Sequence, residues 1–196
     1  MHIAYSRTAA IHLFSATMIL LPGTAAAGGA FYIKSGVLQL QDTGQVIDSL
    51  PRNLDEASNK TIGIGWEVRK KNGLAFNIEY LNYRNEFTPP TSPSTGEARA
   101  DVLQFSGKKY FIDDGVFHPY IGAGIGPGIT KISYTSGGIS ITEEDYAIVL
   151  HAAFGIELRF NNLSFFLEAK HIYFNVDSSQ YDPTSTGVLA GMGFNW

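Results

Sequence analysis

Most of the chain after its first 30 residues alternates between apolar side chains and small or polar ones with a period of two. In the clearest run, residues 146–160, Ile156 and Leu158 share one face while Glu157 and Arg159 share the other. Period two is typical of a β-strand with one apolar and one polar face. Further runs, some weaker, cover residues 30–41, 62–69, 74–80, 101–111, 117–131, 163–170 and 187–196. The pattern predicts eight strands of roughly 9 to 15 residues, whereas about 9 to 11 residues cross a bilayer and ordinary strands are shorter.

The connections between the predicted strands are alternately long and short. The short ones carry Asn, Asp or Gly, which tolerate the backbone angles of hairpin turns: Lys71-Asn72-Gly73, Asp113-Asp114-Gly115 and Asn161-Asn162. The longer ones span residues 42–58, 86–98 and 133–144, with an intermediate one at 177–183. Because successive strands then run in opposite directions, the long loops meet at one end. We therefore predict an all-β fold, an eight-stranded up-and-down antiparallel transmembrane β-barrel with long extracellular loops and short periplasmic turns.

The alternation alone does not decide which face points outward, since a soluble lipid-carrying barrel would keep its apolar face inside. Three features favour a polar interior. The polar face is rich in Gly, which makes room inside a narrow barrel. Aromatic residues lie near strand ends on the apolar face, as in the girdles at membrane interfaces: Tyr80, Phe111, Phe117, Tyr146, Phe160, Phe194 and Trp196. The polar face also carries charges that can neutralise one another: Glu67, Arg69, Glu79, Lys108, Glu157, Arg159, Glu168 and Lys170. We predict that these eight residues form ion pairs that close the lumen.

The first 27 residues have the organisation of a secretory signal peptide. One positive charge, Arg7, precedes an apolar segment, which Pro22-Gly23 interrupts before the small residues Ala25-Ala26-Ala27. Small residues at this distance from an apolar segment are typical of a cleavage site. We predict a signal peptide at residues 1–27 and an outer-membrane barrel domain at residues 28–196.

The composition excludes several other classes of protein. Charged residues make up only 16% of the chain, against about 25% in average soluble domains, and the net charge is -4. A nucleic-acid-binding protein needs a basic face, so no nucleic acid is predicted as a partner. The absence of Cys excludes disulfides, thiolate metal sites and a cysteine nucleophile.

Three segments of the sequence resemble the small outer-membrane β-barrels of Gram-negative bacteria, of the OmpA-barrel, OmpX and opacity-protein type. The segments are Leu103–Phe111, Pro119–Gly126 and the terminal Gly191–Trp196. The resemblance implies that Phe194 and Trp196 belong to a signal that the barrel-assembly machinery recognises. It is specific for architecture and not for activity, since barrels of this type serve as adhesins, membrane anchors and enzymes.

No catalytic, cofactor-binding or metal site is predicted. His171 is predicted to face lipid, where the catalytic His of barrel-type lipid A deacylases lies, but Tyr173 occupies the position of their Ser and the last strand has no acid. His151 is predicted to be a hydrogen-bonded residue of the lumen. The predicted loops carry acidic residues, interpreted as a solvated surface or a rim for divalent cations that bridge to lipopolysaccharide: Asp42, Asp48, Asp55, Glu56, Glu143, Glu144, Asp177 and Asp182.

The sequence therefore predicts a non-enzymatic protein of the outer membrane that acts through its surface loops in envelope integrity, surface interaction or adhesion. Its predicted partners are outer-membrane lipid and lipopolysaccharide, the barrel-assembly machinery, and a host or cell-surface ligand bound by the loops. Two alternatives stay open, a lipid A-modifying barrel enzyme of the deacylase kind and a channel for small molecules like OmpW.

Overall fold

Eight antiparallel strands form one closed barrel, in which each strand pairs with its neighbours in the sequence and β1 pairs with β8. The computed structural model describes residues 28–40, 60–87, 96–112, 114–136, 139–175 and 184–196. The strands are β1 (Gly28–Leu40), β2 (Lys60–Arg69), β3 (Leu74–Phe87), β4 (Gly96–Tyr110), β5 (Phe117–Ser136), β6 (Ile139–Phe160), β7 (Leu163–Asn175) and β8 (Ser185–Asn195). The predicted all-β, eight-stranded up-and-down antiparallel barrel is confirmed. The signal peptide predicted at residues 1–27 lies outside the described residues, as do the acidic residues of the first and last predicted loops.

The register fixes the tilt of the strands. Starting at Ala30 and crossing from partner to partner around the barrel, the pairing returns to β1 at Leu40, ten residues farther along. A stagger of this size in an eight-stranded barrel tilts the strands by roughly 35–45° and leaves an interior just wide enough for side chains. In the part of the chain that the structure describes, no helix is long and apolar enough to cross a membrane.

The short connections lie together at one end of the barrel, here called the turn end. Gly73, Gly115 and Asn161 have positive φ angles there, of 74°, 88° and 53°. At the same end, the backbones of Gly29 and Trp196 exchange two hydrogen bonds of 3.2 Å, which join the two ends of the described barrel. The opposite end, where β1 ends and β2 begins, is called the loop end.

The prediction of a loop at residues 133–144 is wrong. β5 and β6 are 20 and 22 residues long, and they remain paired from Phe117 with Leu158 up to Ser136 with Ile139. Glu143, Glu144 and Asp145 therefore lie in a strand and not in a loop. The local sequence explains the difference, because Ile, Thr, Tyr and Ser alternate on both sides of a Gly-Gly pair, a hairpin signal that the acidic residues obscured.

The outer surface of the barrel is apolar. Every strand carries large, exposed hydrophobic residues on its outward face, for example Ile33, Ile64, Phe105, Ile125 and Phe154. The seven predicted girdle residues are exposed on this surface as well, from Tyr80 at 43% to Tyr146 at 74%. A continuous apolar surface of this size on a monomer marks contact with another apolar phase, and a closed sheet leaves no backbone group unpaired in such a phase.

The inward glycines make room for side chains of the neighbouring strands. A Cβ on Gly65 would lie 2.2 Å from the Tyr32 ring, and one on Gly155 would lie 2.5 Å from the Tyr120 ring. Tyr32 and Gly65 are direct cross-strand partners, as are Tyr120 and Gly155. Each tyrosine thus lies flat over the glycine beside it, because the tilt of the strands directs inward side chains across the adjacent strand.

Candidate functional site

All eight residues of the predicted charge network point into the barrel. Seven of them are buried, while Arg159 lies at the turn end with its side chain 22% exposed. Charged side chains that are cut off from water are costly unless they are paired and hydrogen-bonded. Their contacts divide into two clusters, one nearer the turn end and one nearer the middle of the barrel.

The first cluster surrounds Glu67. Its carboxylate accepts hydrogen bonds from the Arg69 Nε at 2.5 Å, the Lys108 Nζ at 2.8 Å and the Tyr110 hydroxyl at 2.9 Å. Glu157 accepts two bonds of 2.9 Å from the Arg69 Nη2 and one of 3.0 Å from Arg159. Arg69 therefore bridges two buried carboxylates that belong to strands on different sides of the barrel.

The second cluster alternates two lysines with two glutamates. The Lys34 Nζ lies 2.9 Å from Glu168 and 3.5 Å from Glu79, while the Lys170 Nζ lies 3.1 Å from Glu79 and 3.5 Å from Glu168. The Tyr120 hydroxyl donates to Glu168 at 2.7 Å. Each carboxylate is thus held between two ammonium groups, and the strands β1, β3 and β7 are linked through the lumen.

Tyrosine rings connect the two clusters. The Lys108 Nζ lies 5.1 Å from the centre of the Tyr32 ring and 5.0 Å from that of Tyr120, and the Lys34 Nζ lies 4.6 Å from that of Tyr32. Cations at such distances from an aromatic face are attracted by it. The Tyr32 hydroxyl donates to Glu79 at 3.1 Å and accepts a hydrogen bond from Asn77.

Sequence reasoning missed Lys34 because the alternation around it is weak. The described network holds five basic residues when Lys34 is added, against four carboxylates. The parity of β1 still indicated an inward Lys34, since Ala30, Tyr32 and Lys34 alternate along one face of the strand. Ala30 and Tyr32 are buried inside the barrel.

An apolar layer lies inside the barrel between the second cluster and the loop end, and sequence reasoning missed it too. The residues of this apolar layer are buried and contact one another: Leu38, Leu81, Tyr83, Ala98, Ala100, Val102, Ala147, Val149, Ile172, Phe174 and Leu189. Val149 and Ile172 show the available signal, because each follows an outward apolar or amphipathic residue, so both faces of these strands are apolar there.

The candidate catalytic histidines have simple contacts. His171 is exposed on the outer surface, and its Nδ1 lies 2.7 Å from the Thr186 Oγ1, while Tyr173 points outward beside it. His151 lies in the lumen, where its Nε2 is 2.9 Å from the Ser106 Oγ. Among the described residues no carboxylate contacts His171, and no group of three or more His, Asp or Glu residues is arranged to hold a metal ion.

These features define a class of protein, the transmembrane β-barrel of the small outer-membrane type. Charged side chains fill a closed barrel, its outer surface is apolar, and Phe194 and Trp196 are exposed at the turn end of the last strand.

Solved structures with this fold include three outer-membrane proteins. Neisserial surface protein A is 16% identical, with a TM-score of 0.61 over 88% of this chain and 98% of that one. Ail, the attachment invasion locus protein of Yersinia pestis, is 15% identical, with a TM-score of 0.58 over 88% of this chain and 100% of that one. OprG of Pseudomonas aeruginosa is 11% identical, with a TM-score of 0.51 over 87% and 97%. No family model and no curated protein matches the sequence.

Proposed function

We propose that the chain is an exported outer-membrane protein with a closed lumen, and that it acts through its loop-end surface in envelope integrity, surface interaction or adhesion. The apolar outer surface supports the membrane location, because an area of this kind is stable only against lipid or another apolar partner. In an outer-membrane barrel the loop end is the extracellular end and the turn end is periplasmic.

The observation that carries the closed lumen is the succession of two unlike layers. The ion-paired clusters occupy the turn end and the middle of the lumen, and the apolar layer occupies the region above them. An apolar solute would have to break the buried ion pairs to pass, whereas an ion would have to lose its water among apolar side chains. Each layer therefore blocks the solutes that the other would admit.

The loop-end surface is where a partner is accessible. The paired strands of β5 and β6 continue to Ser136 and Ile139, and β4 stays paired with β5 up to Tyr134. This hairpin forms the loop-end edge of the barrel on that side and carries Glu144 and Tyr146 on its surface. Ail has been crystallised with sucrose octasulfate, a heparin analogue, which supports ligand binding as a proposed role of this chain. At the turn end, Phe194 and Trp196 are proposed to be recognised by the barrel-assembly machinery.

Conductance in planar lipid bilayers tests the closed lumen. The purified, refolded protein is expected to show no conductance beyond brief openings, whereas a general porin measured beside it shows steady open channels. Steady conductance of porin size would contradict the proposal. Heat-modifiable migration on a denaturing gel, measured on the same sample, shows that the barrel is folded.

A lipid A-modifying enzyme is the second candidate, favoured by the outward His171 and Thr186 pair near the loop end of the membrane surface. A catalytic triad needs a nucleophile, a base and an acid that orients the base. The Thr186 hydroxyl and the His171 imidazole match the first two, but in the described part of the chain no acid contacts the imidazole. Incubation with lipopolysaccharide followed by mass analysis of the lipid A separates the candidates. We expect no released acyl chain, and release that is lost in His171→Ala would establish the enzyme.

A further inference from the structure

Four basic residues lie side by side across four consecutive strands on the outer surface. Lys60 of β2 is the direct partner of Arg84 in β3, Arg84 is the partner of Arg99 in β4, and Arg99 is the partner of Lys131 in β5. All four side chains are exposed. Because neighbouring strands are about 4.8 Å apart, this cationic row is about 14 Å long.

The cationic row follows the upper edge of the apolar outer surface. Two residues nearer the turn end on each strand, the outward positions are Ile62, Asn82, Asp101 and Ile129, and Tyr80 lies below Asn82. Ile62 and Ile129 are exposed to the surroundings of the barrel. The row therefore lies where acyl chains end and headgroups begin, if the apolar surface is immersed in lipid.

Two members of the row are held in place by carboxylates. The Arg99 Nε lies 3.0 Å from Asp101, which also accepts a hydrogen bond of 2.7 Å from Asn82 and one from the Tyr80 hydroxyl. The Arg84 Nη2 lies 2.7 Å from Glu97. These contacts orient the guanidinium groups and neutralise only half of the row.

The two lysines at the ends of the row complete its positive charge. Lys60 makes no ion pair with any described residue, and neither does Lys131, whose cross-strand partner Glu144 accepts a hydrogen bond of 3.2 Å from the Tyr146 hydroxyl. Like charges in directly opposed positions destabilise a sheet unless an anion lies between them. Among the described residues, the outward positions nearest the loop end of β7, β8 and β1 are Asn175, Thr186 and Gln39, none of them basic.

We propose that the cationic row binds the phosphate groups of a phosphorylated glycolipid, the lipopolysaccharide of the outer leaflet, with its acyl chains against the apolar surface below. The proposal rests on the outer-membrane location proposed above and names the place of contact with that membrane. Guanidinium groups bind phosphate through two parallel hydrogen bonds and ammonium groups act as point charges, so the row offers both kinds of contact. A ligand with several phosphate groups can contact more than one basic residue of the row at once.

Native mass spectrometry of the refolded protein in phosphatidylcholine nanodiscs that contain a small share of lipid A tests the row. The wild-type protein is expected to retain lipid A after release from the nanodisc. The double variant Lys60→Gln with Lys131→Gln is expected to retain at least roughly tenfold less lipid A, because each lysine near a phosphate surface strengthens binding several-fold. The matched control, Lys71→Gln with Lys109→Gln, removes the same charge from the turn end, and its retention is expected to stay within about twofold of wild type.

Two further arms identify the source of the chemistry. The wild-type protein is expected to retain dephosphorylated lipid A poorly, to the same low level at which the double lysine variant retains intact lipid A. Excess inorganic phosphate is expected to leave the retained lipid A in place. Equal retention by wild type and row variant, equal retention of the dephosphorylated lipid, or displacement by free phosphate would each overturn the proposal. A wild-type protein that folds into nanodiscs but fails these arms rejects the row alone, whereas a protein that does not enter the bilayer rejects the proposed location.

Discussion

Glu67 shows how single residues hold this barrel together. Its carboxylate is fully buried and has three donors within 2.9 Å, from Arg69, Lys108 and Tyr110. In a lumen without room for bulk water, those donors replace the hydration that the carboxylate loses. The buried cations Arg69 and Lys108 are in turn neutralised by Glu67, so removing its negative charge destabilises them as well.

The substitution Glu67→Gln is expected to destabilise the folded barrel by about 3 kcal/mol or more, because it leaves the buried cations of Arg69 and Lys108 without their shared anion. Urea unfolding of the protein in lipid vesicles measures this free energy.

Glu97, whose side chain is 34% exposed and pairs with Arg84 at the loop end, gives the matched control. Glu97→Gln is expected to change the free energy of unfolding by less than about 1 kcal/mol, since exposed ion pairs contribute little. Equal effects of the two substitutions would show that Glu67 is solvated, which contradicts the buried network.

Tyr120 and Gly155 give a second prediction for single residues. A Cβ at position 155 would lie 2.5 Å from the Tyr120 ring, whose hydroxyl donates to Glu168 at 2.7 Å. Gly155→Ala is therefore expected to displace the tyrosine and to lower the free energy of unfolding by about 1 to 3 kcal/mol. Gly107→Ala is the control, because a Cβ at Gly107 meets nothing within 4 Å. A Gly155→Ala protein as stable as wild type would contradict the close packing of Tyr120.

At this scale, the sequence predicted which residues point inward far better than which residues contact one another. Parity alone assigns Glu67, Glu157 and Glu168 to one face, because successive side chains of a strand alternate between faces. The pairing of Arg69 with Glu157 depends on the stagger of the barrel, which is a property of all eight strands together. Lys34 was missed for a local reason, since Gly and Ser weaken the alternation of β1.

Among the elements, β5 and β6 depart most from the sequence-based expectation. The acidic residues at 143–145 indicated a loop, but both strands continue past them and pair up to Ser136 and Ile139. Cross-strand partners explain why, because Ser133 faces Thr142 and their two hydroxyls are 3.2 Å apart. Pairs of this kind stabilise adjacent strands and remain hidden until the register is known.

The part of this hairpin beyond the last β4–β5 pair, Gly96 with Tyr134, is expected to be dispensable for the barrel. Replacing residues 135–140 by Asn-Gly leaves the pair of Tyr134 with Ile141 next to a favourable two-residue turn. Heat-modifiable migration of the shortened protein is expected to match that of wild type. Deleting Phe165 and Phe166 from β7 changes the register of a strand within the barrel and is expected to abolish the folded form. A shortened hairpin that prevents folding would show that the tip nucleates or closes the barrel.

The whole molecule combines an apolar outside with two unlike layers inside. The closed eight-stranded architecture was predictable because the strand periods, the turn residues and the spacing of long and short connections all agree. The apolar layer was not, since alternation was interpreted as one polar face along the full length of each strand. Near the loop end, residues such as Leu81, Val102 and Val149 are apolar on the inward face too, and only their packing across the lumen shows that they form one layer.

Tryptophan fluorescence quenching in lipid vesicles tests most directly whether the outward face contacts hydrocarbon. The chain has two Trp residues, and both Trp66 and Trp196 lie on the outer face. Trp196→Phe leaves Trp66 as the single probe, partway along β2, and Trp66→Phe leaves the probe at the turn end. Lipids brominated on their acyl chains are expected to quench Trp66 strongly, while aqueous acrylamide quenches it little. Strong quenching of Trp66 by acrylamide, with no effect of the brominated lipids, would place the apolar face away from the membrane and contradict the account.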